Sequence, residues 1–227
     1  MKINHSNAAI ISCEIFRDDF EYLLGSKLSG YTVRWIDKGL HDHPDKLRAK
    51  VQAAIDEIDA YGDVSYILLG YCLCGKSVVG LKSQNCTMIM PKTDDCVRMY
   101  QLMEKNVKPD VCAAAYYLTP RWMDPELSSV MGADKWINKY GKERAKMLIK
   151  AMFGNYTDII LLHLESFDPA AYRDEARAAA ERINLKFTEK DGTLRILKKM
   201  LAADIDDEFV IIEPNQEIDF DMFDGRI

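Results

Sequence analysis

Three cysteines follow apolar, strand-like stretches in the first half of the chain, and their thiols are the side chains best able to do chemistry. Cys13 follows AAIIS, Cys74 lies in the turn after SYILLG, and Cys96 ends a turn after TMIMP. In a parallel sheet ordered 2-1-3-4, the first, third and fourth strands are neighbours, about 4.8 Å apart. Because ligands bind at the carboxyl ends of such strands, we expect the three thiols to lie close together there.

Soft sulfur ligands of this kind suit a thiolate-bound zinc ion or an iron–sulfur cluster, and the sequence does not choose between them. Three protein ligands leave one coordination position open, which is typical of a reactive site. The six cysteines include no CxxC pair and no Cys/His zinc-finger spacing, so tertiary structure has to assemble the site. We therefore predict that Cys13, Cys74 and Cys96 are metal ligands.

The other three cysteines are interpreted differently. If the turn after the third strand stays extended, Cys72 points away from Cys74 and is a spare or alternative ligand. Cys86 and Cys112 lie beside or within apolar strands, where free cysteine commonly behaves as a small hydrophobic residue. All six thiols are expected to be reduced in an intracellular chain.

The turn that carries Cys74 also matches the phosphate-binding pattern G-x-x-x-x-G-K-[ST]. Gly70, Gly75, Lys76 and Ser77 occupy its fixed positions, between a predicted strand and a predicted short helix. The bulky, apolar residues 71–74 disfavour a phosphate cradle, so nucleotide binding is an alternative hypothesis. The glycines equally suit a turn whose N–H groups approach an anion or a cluster sulfide, or turn geometry alone.

Two further residues at the same predicted edge are candidates for catalysis. His41 lies between the second strand and a helix, where a histidine acts as a fourth ligand, a general acid or a substrate contact, or is an ordinary surface residue. Asp95, like Asp94, precedes a helix, and an aspartate there suits helix capping as well as catalysis. Both roles stay open for each residue.

Strand and helix signals alternate along the chain, which predicts an α/β fold of two Rossmann-like lobes with mostly parallel sheets. We expect a cysteine-bearing lobe over residues 1–120, a smaller lobe with linking helices over 121–227, and a ligand-binding cleft between them. The predicted strands cover residues 8–12, 31–37, 64–71, 87–91, 111–120, 157–164, 184–189 and 208–214. Helices are predicted over 14–28, from Pro44, after Asp94 or Asp95, and over 142–153, 169–183 and 193–202.

Charge and hydropathy exclude several classes of function. The formal net charge is −6 and no basic run occurs, which argues against nucleic-acid binding. No stretch reaches the roughly 18 apolar residues of a membrane span, and the N-terminus lacks a signal-peptide pattern. We expect a cytoplasmic protein with a small-molecule substrate and with neither nucleic acid nor a membrane as its partner.

Several stretches of the chain resemble the domain-of-unknown-function family 1638, an uncharacterised family found in anaerobes. They include ISCEIF, ILLGYCLCGKSVVGLKS, MPKTDDC, YYLTPRW and FGNYTDIIL, and they extend to the closing FVIIEPNQEI. The resemblance implies that Cys13, Cys74 and Cys96 are the family's characteristic thiols and that His41 belongs to its signature loop. Members of this family look associated with corrinoid-dependent methyl transfer, so the resemblance implies a corrinoid or a corrinoid protein as a further cofactor or partner.

These observations predict a metal-thiolate protein that serves anaerobic one-carbon or sulfur metabolism as an enzyme or an accessory factor. A metal-dependent methyltransferase and an iron–sulfur enzyme both fit that description. One alternative is a non-catalytic module that binds a corrinoid or a corrinoid protein. The other is a P-loop-like nucleotide-binding protein.

Overall fold

Strands and helices alternate in the computed structural model, which describes residues 3–105, 107, 114–124, 128 and 130–223. The strands are β1 (Ala8–Cys13), β2 (Thr32–Ile36), β3 (Tyr66–Gly70), β4 (Thr87–Pro91), β5 (Ala115–Leu118), β6 (Asp158–His163), β7 (Lys186–Asp191) and β8 (Phe209–Ile212). The helices are α1 (Arg17–Leu24), α2 (Pro44–Tyr61), α3 (Cys96–Gln101), α4 (Ala133–Tyr140), α5 (Lys142–Phe153), α6 (Arg173–Arg182) and α7 (Arg195–Leu201). The predicted α/β fold class is confirmed. No helix of the described residues is long and apolar enough to cross a membrane.

The apolar stretches of the first half pair into a five-stranded sheet in the order β2-β1-β3-β4-β8. The pairs among β2, β1, β3 and β4 are parallel, and β8 joins β4 as an antiparallel strand. The central strands are buried on both faces, as continuous apolar runs in a parallel sheet require. The carboxyl ends of β1, β3 and β4 therefore lie side by side at one edge of this sheet.

Helix α2 shows how sequence signals place the elements around the sheet. Pro44 occupies its first turn, and its apolar stripe is buried against the core. Gly62 ends it in the left-handed conformation, with φ of 68°, and its N–H lies 3.4 Å from the Ile58 carbonyl oxygen. This helix then contacts the turn after β3 through its exposed polar side.

Two predicted helices of the first half take other forms. The segment predicted as one helix over 14–28 is a 3₁₀ turn, the α-helix α1 and a second 3₁₀ segment, because Gly25 has φ of +51° and ends the α-helix. The short helix predicted after β3 is replaced by a turn. Residues 74–76 all have positive φ there, which an α-helix cannot accommodate.

The second sheet is parallel and has the order β5-β6-β7. Helix α5 matches its predicted bounds, and Gly141, with φ of +77°, separates it from α4. Residues 111–113 of the predicted fifth strand, including Cys112, lie outside the described residues. The buried core of this part packs α6 through Ala176, Ala179 and Ala180 against β6.

The chain divides into two compact units that are not continuous halves. One unit comprises residues 1–109 and 194–227, and the other comprises 110–193. The predicted division into 1–120 and 121–227 differs from this partition mainly at its C-terminal part. Because β8 pairs along β4, it covers a strand that would otherwise be an open edge of the first sheet.

Candidate thiol site at the carboxyl edge of the first sheet

Four cysteines of the first unit lie at the carboxyl edge of its sheet, which we call the thiol edge. Cys13 is the last residue of β1, Cys72 and Cys74 lie in the turn after β3, and Cys96 is the first residue of α3. Cys13, Cys74 and Cys96 each interact electrostatically with the other two, and Cys72 interacts with Cys74 and Cys96. The three thiols expected at this edge from their strand positions all lie at it.

Two backbone hydrogen bonds join the turns that carry these thiols. The Leu73 N–H donates to the Thr93 carbonyl and the Cys74 N–H to the Asp94 carbonyl, both at 2.9 Å. Because Cys96 follows Asp94 by two residues, this pairing brings the β3 turn beside the start of α3. The guanidinium of Arg48, on α2, donates to the Lys76 carbonyl at 3.1 Å and supports the turn from its other end.

The turn itself is held in a conformation that most residues avoid. Cys74, Gly75 and Lys76 have φ values of 45°, 64° and 72°, and only glycine adopts this region without steric cost. A non-glycine residue there is strained by about 1–3 kcal/mol and persists only when its surroundings enforce it. The backbone bonds of Leu73 and Cys74 and the contact from Arg48 supply that enforcement. Strain of this kind concentrates at functional sites.

The four thiols differ in their tendency to ionise. Interaction with the Cys72 thiol lowers the pKa of Cys74 below its ordinary value despite burial. Burial raises the pKa of Cys13 to about 12 and raises the pKa of Cys72 and Cys96 well above the ordinary value. Cys74 is therefore the thiol of this group that most readily carries negative charge.

Two other buried polar side chains lie beside the thiols. Lys38 follows β2 and is 3% exposed, and its positive charge acts to lower the pKa of Cys13. Tyr71, directly after β3, is 1% exposed and interacts electrostatically with Cys13 and Cys74. Within the part of the chain that the structure describes, the Tyr71 hydroxyl has no hydrogen-bond partner. A buried cation and a buried unpaired donor thus face the same group of thiols.

His41 and Asp95, the predicted catalytic residues, both take part in local structure. Ring nitrogen Nδ1 of His41 lies 2.7 Å from the Lys38 carbonyl oxygen, and Nε2 lies 3.0 Å from the Asp42 carboxylate. The Asp95 carboxylate accepts the Arg98 N–H at 2.7 Å and so caps α3. Its negative charge also raises the pKa of Cys74 and Cys96, which places Asp95 at the thiol edge.

The residues that match the phosphate-binding pattern are packed against other parts of the protein. A Cβ on Gly70 would lie 2.2 Å from the Ser12 hydroxyl oxygen, so glycine is needed where β1 and β3 run side by side. The Lys76 ammonium lies 4.2 Å from the centre of the Phe220 ring, and Ser77 is fully buried. The stretch 71–86 contains no α-helix, and so lacks the helix N-terminus on which phosphate binding by this pattern depends.

Cys86 lies apart from the four thiols. Cys86 is 1% exposed, and its thiol lies 3.4 Å from the Val64 carbonyl oxygen, just before the amino end of β4. It is a core residue at the opposite edge of the sheet. Cys112 lies outside the described residues.

Sequence reasoning missed Lys38 and the role of Tyr71. Cys72 was expected to point away from Cys74 if the turn stayed extended, whereas the turn is left-handed at residues 74–76 and Cys72 interacts with Cys74. The signal for Lys38 and Tyr71 was available, because Tyr71 directly follows β3 and Lys38 lies two residues after the end of β2. Among the described residues, no group of three or more His, Cys, Asp or Glu side chains is arranged to hold a metal ion.

Comparison with known proteins gives one match. The sequence profile of a family described as "Protein of unknown function (DUF1638)" matches residues 35–201, which is most of the chain and includes Cys72, Cys74 and Cys96. Cys13 and β1 precede the matched residues. No curated protein matches the chain, and no solved structure matches it.

Proposed function

We propose that this chain, which belongs to the DUF1638 family of proteins of unknown function, is a metal-thiolate protein whose Cys13, Cys74 and Cys96 bind a soft transition metal centre. The observation that carries the proposal is the meeting of these three strand-end thiols at one edge of the sheet. Their sulfur chemistry fits zinc or an iron–sulfur cluster. The family resemblance favours a role in anaerobic one-carbon or sulfur metabolism.

The surroundings of the thiols support a centre that carries negative charge. Lys38 is a buried cation beside Cys13, and it offsets part of the charge that three thiolates would bring. Cys72 adds a fourth thiol, which interacts with Cys74 and lowers the pKa of Cys74. Among the described residues no group of side chains is arranged to hold a metal ion, so metal binding would require these sulfurs to move.

Metal binding has to displace protons from these thiols. Cys74 loses its proton most easily, whereas burial opposes ionisation of Cys13 and Cys96. The affinity for metal is therefore expected to fall as the pH is lowered, because protons compete for the same sulfurs. When bound with an open position, such a centre supplies Lewis-acid activation of a substrate thiol or an electron-transfer site.

The test is metal analysis and an absorption spectrum of protein purified without oxygen. Wild-type protein should contain bound zinc, or its absorption spectrum should show the charge-transfer bands of an iron–sulfur cluster. Cys74→Ser should lose at least about 10-fold in metal affinity, as ligand and near-ligand losses commonly do. Cys86→Ala is the matched control, because this buried thiol lies at the opposite edge, and its metal content should equal that of wild type. Metal-free wild-type protein, or an unchanged metal content in Cys74→Ser, would contradict the proposal.

A second candidate function is thiol–disulfide exchange, which is favoured by the position of Cys72 two residues before Cys74 and by the interaction that lowers the pKa of Cys74. The Cys74 thiolate would attack a substrate disulfide and release one thiolate, and Cys72, losing its proton, would attack the mixed disulfide and release the second. The substrate would be reduced by two electrons as the two cysteines are oxidised to a disulfide. Cys72→Ser should abolish a Cys72–Cys74 crosslink in the mass spectrum, while Cys96→Ser should retain it.

A further inference from the structure

We infer that the Tyr71 hydroxyl donates a hydrogen bond to an anionic atom of the group that the cysteines bind, either a sulfur of the centre or an atom of its substrate. This inference rests on the proposed function and adds a binding residue to it. It assigns a partner to a donor that has none among the described residues.

The unpaired state of this hydroxyl is unusual for its burial. The Tyr71 side chain is 1% exposed, and its oxygen meets no acceptor among the described residues. The large majority of buried side-chain polar atoms have a partner, and an unpaired one destabilises the fold. A buried hydroxyl that is retained without a partner therefore points to a ligand.

The position of the hydroxyl indicates which ligand. Tyr71 directly follows β3 and interacts electrostatically with Cys13 and Cys74, two of the proposed ligands. A phenol with an ordinary pKa near 10 is protonated at neutral pH, so it is available as a donor. Neutral thiols are weak acceptors. Thiolate, sulfide and substrate oxyanions are strong ones, and hydrogen bonds to charged acceptors are roughly twice as strong as those between neutral groups.

A second buried tyrosine in the same neighbourhood provides the contrast. Tyr100, on α3, is 2% exposed and interacts electrostatically with Cys13 and Cys96. Its hydroxyl donates to the Asp19 carboxylate at 2.6 Å. One tyrosine therefore has an acceptor in the described part of the chain and the other has none there, although both lie beside the thiols. Comparison of Tyr71 with Tyr100 therefore distinguishes a ligand-binding hydroxyl from a structural one.

The first measurement is the thermal unfolding midpoint of the full chain without metal. Tyr71→Phe removes a hydroxyl that has no partner, so its midpoint should be unchanged or raised by up to about 4 °C. Tyr100→Phe takes a donor from a buried carboxylate and should unfold at a lower temperature. If Tyr71→Phe lowers the midpoint as Tyr100→Phe does, the Tyr71 hydroxyl has a structural partner and the inference is overturned.

The second measurement is the affinity for Zn²⁺ alone, by chelator competition without oxygen, and for ferrous iron with inorganic sulfide in a parallel arm. Tyr71→Phe should bind the centre about 10–100-fold more weakly, the usual effect of removing a hydrogen bond to a metal ligand. Tyr100→Phe should bind as wild type does. Wild-type affinity in Tyr71→Phe would overturn this inference and leave the proposed function standing. Failure of wild type to bind either probe would overturn both.

Discussion

At the scale of single residues, the thiol edge depends on close approach of β1 and β3. Ser12 lies opposite Gly70 in the parallel register, and its hydroxyl donates to the Gly70 carbonyl at 3.2 Å. Each residue stands one position away from the site, since Cys13 follows Ser12 and Tyr71 follows Gly70. The spacing of these two strands therefore fixes the separation between a proposed ligand and the unpaired tyrosine.

Gly70→Ala should destabilise the protein by about 1–3 kcal/mol, because an added methyl group would overpack this contact. The new Cβ would lie 2.2 Å from the Ser12 hydroxyl oxygen and 2.6 Å from its Cβ. Urea unfolding measures the loss, and the double variant Ser12→Gly, Gly70→Ala should recover part of it. Gly62→Ala is the control, since nothing lies within 4 Å of its added Cβ and only its φ of +68° is unfavourable. Equal stability of Gly70→Ala and wild type would contradict this reading of the contact.

Residue types and spacing were enough to predict part of the site. Cys13, Cys74 and Cys96 could be grouped because parallel order alone sends three strand ends to one edge. The left-handed turn that follows Cys72 could not be predicted, because it occurs at two non-glycine residues. The residue types around Cys74 and Lys76 do not indicate that conformation. It is enforced by backbone bonds to residues 93–94 and by Arg48.

At the scale of elements, the local sequence pattern predicted which segments are strands, whereas long-range pairing determines the position of each strand in its sheet. The apolar runs that became β1, β3, β4 and β6 were recognised within two or three residues of their bounds. The position of β8 was not predictable, because FVII pairs with a strand about 120 residues earlier in the chain. The residues between β4 and β8 carry no sequence pattern that indicates an antiparallel partner for β4.

A buried ion-pair network fixes this distant strand to its helix. Glu208, 2% exposed and just before β8, accepts two hydrogen bonds from the Arg195 guanidinium, at 2.6 and 2.7 Å. Lys199 donates to the same carboxylate at 2.9 Å. The Glu208 carbonyl also accepts the Lys92 N–H at 2.8 Å, just beyond β4. One residue therefore ties α7 to the β4–β8 pair.

Glu208→Gln should lower the free energy of unfolding by about 3 kcal/mol near neutral pH, because it leaves two cations without their shared carboxylate. The hydrogen bonds from Arg195 lower the pKa of Glu208 in the folded state. A lowered pKa stabilises the fold above the ordinary value of about 4.3, and this contribution is lost as the pH falls below it. The difference between wild type and variant in urea unfolding should therefore shrink in acid. An exposed control, Glu21→Gln, should change stability by less than about 1 kcal/mol at either pH. A difference that stays constant with pH would contradict this assignment.

At the scale of the whole molecule, the second unit is inserted into the first. The chain leaves the first unit at residue 109 and returns to it at 194. Helix α7 and strand β8, which lie after the insertion, complete the five-stranded sheet. Cys13, Cys72, Cys74 and Cys96 all belong to that first unit.

A chain that joins residues 1–109 to 194–227 should therefore fold and retain metal binding. A flexible linker of about ten Gly and Ser residues replaces 110–193, long enough not to fix the geometry of the join. This chain keeps β8 beside β4, whereas residues 1–120 alone, the lobe expected from sequence, leave β4 as an unpaired apolar edge that should aggregate. Circular dichroism, size-exclusion chromatography and urea unfolding distinguish the two. Because Cys13, Cys72, Cys74 and Cys96 are all retained, Zn²⁺ affinity by chelator competition should match that of the full chain. Folding of residues 1–120 as a monomer would show that β8 is not required to complete the unit, and aggregation of the joined chain would show that the unit does not fold without residues 110–193.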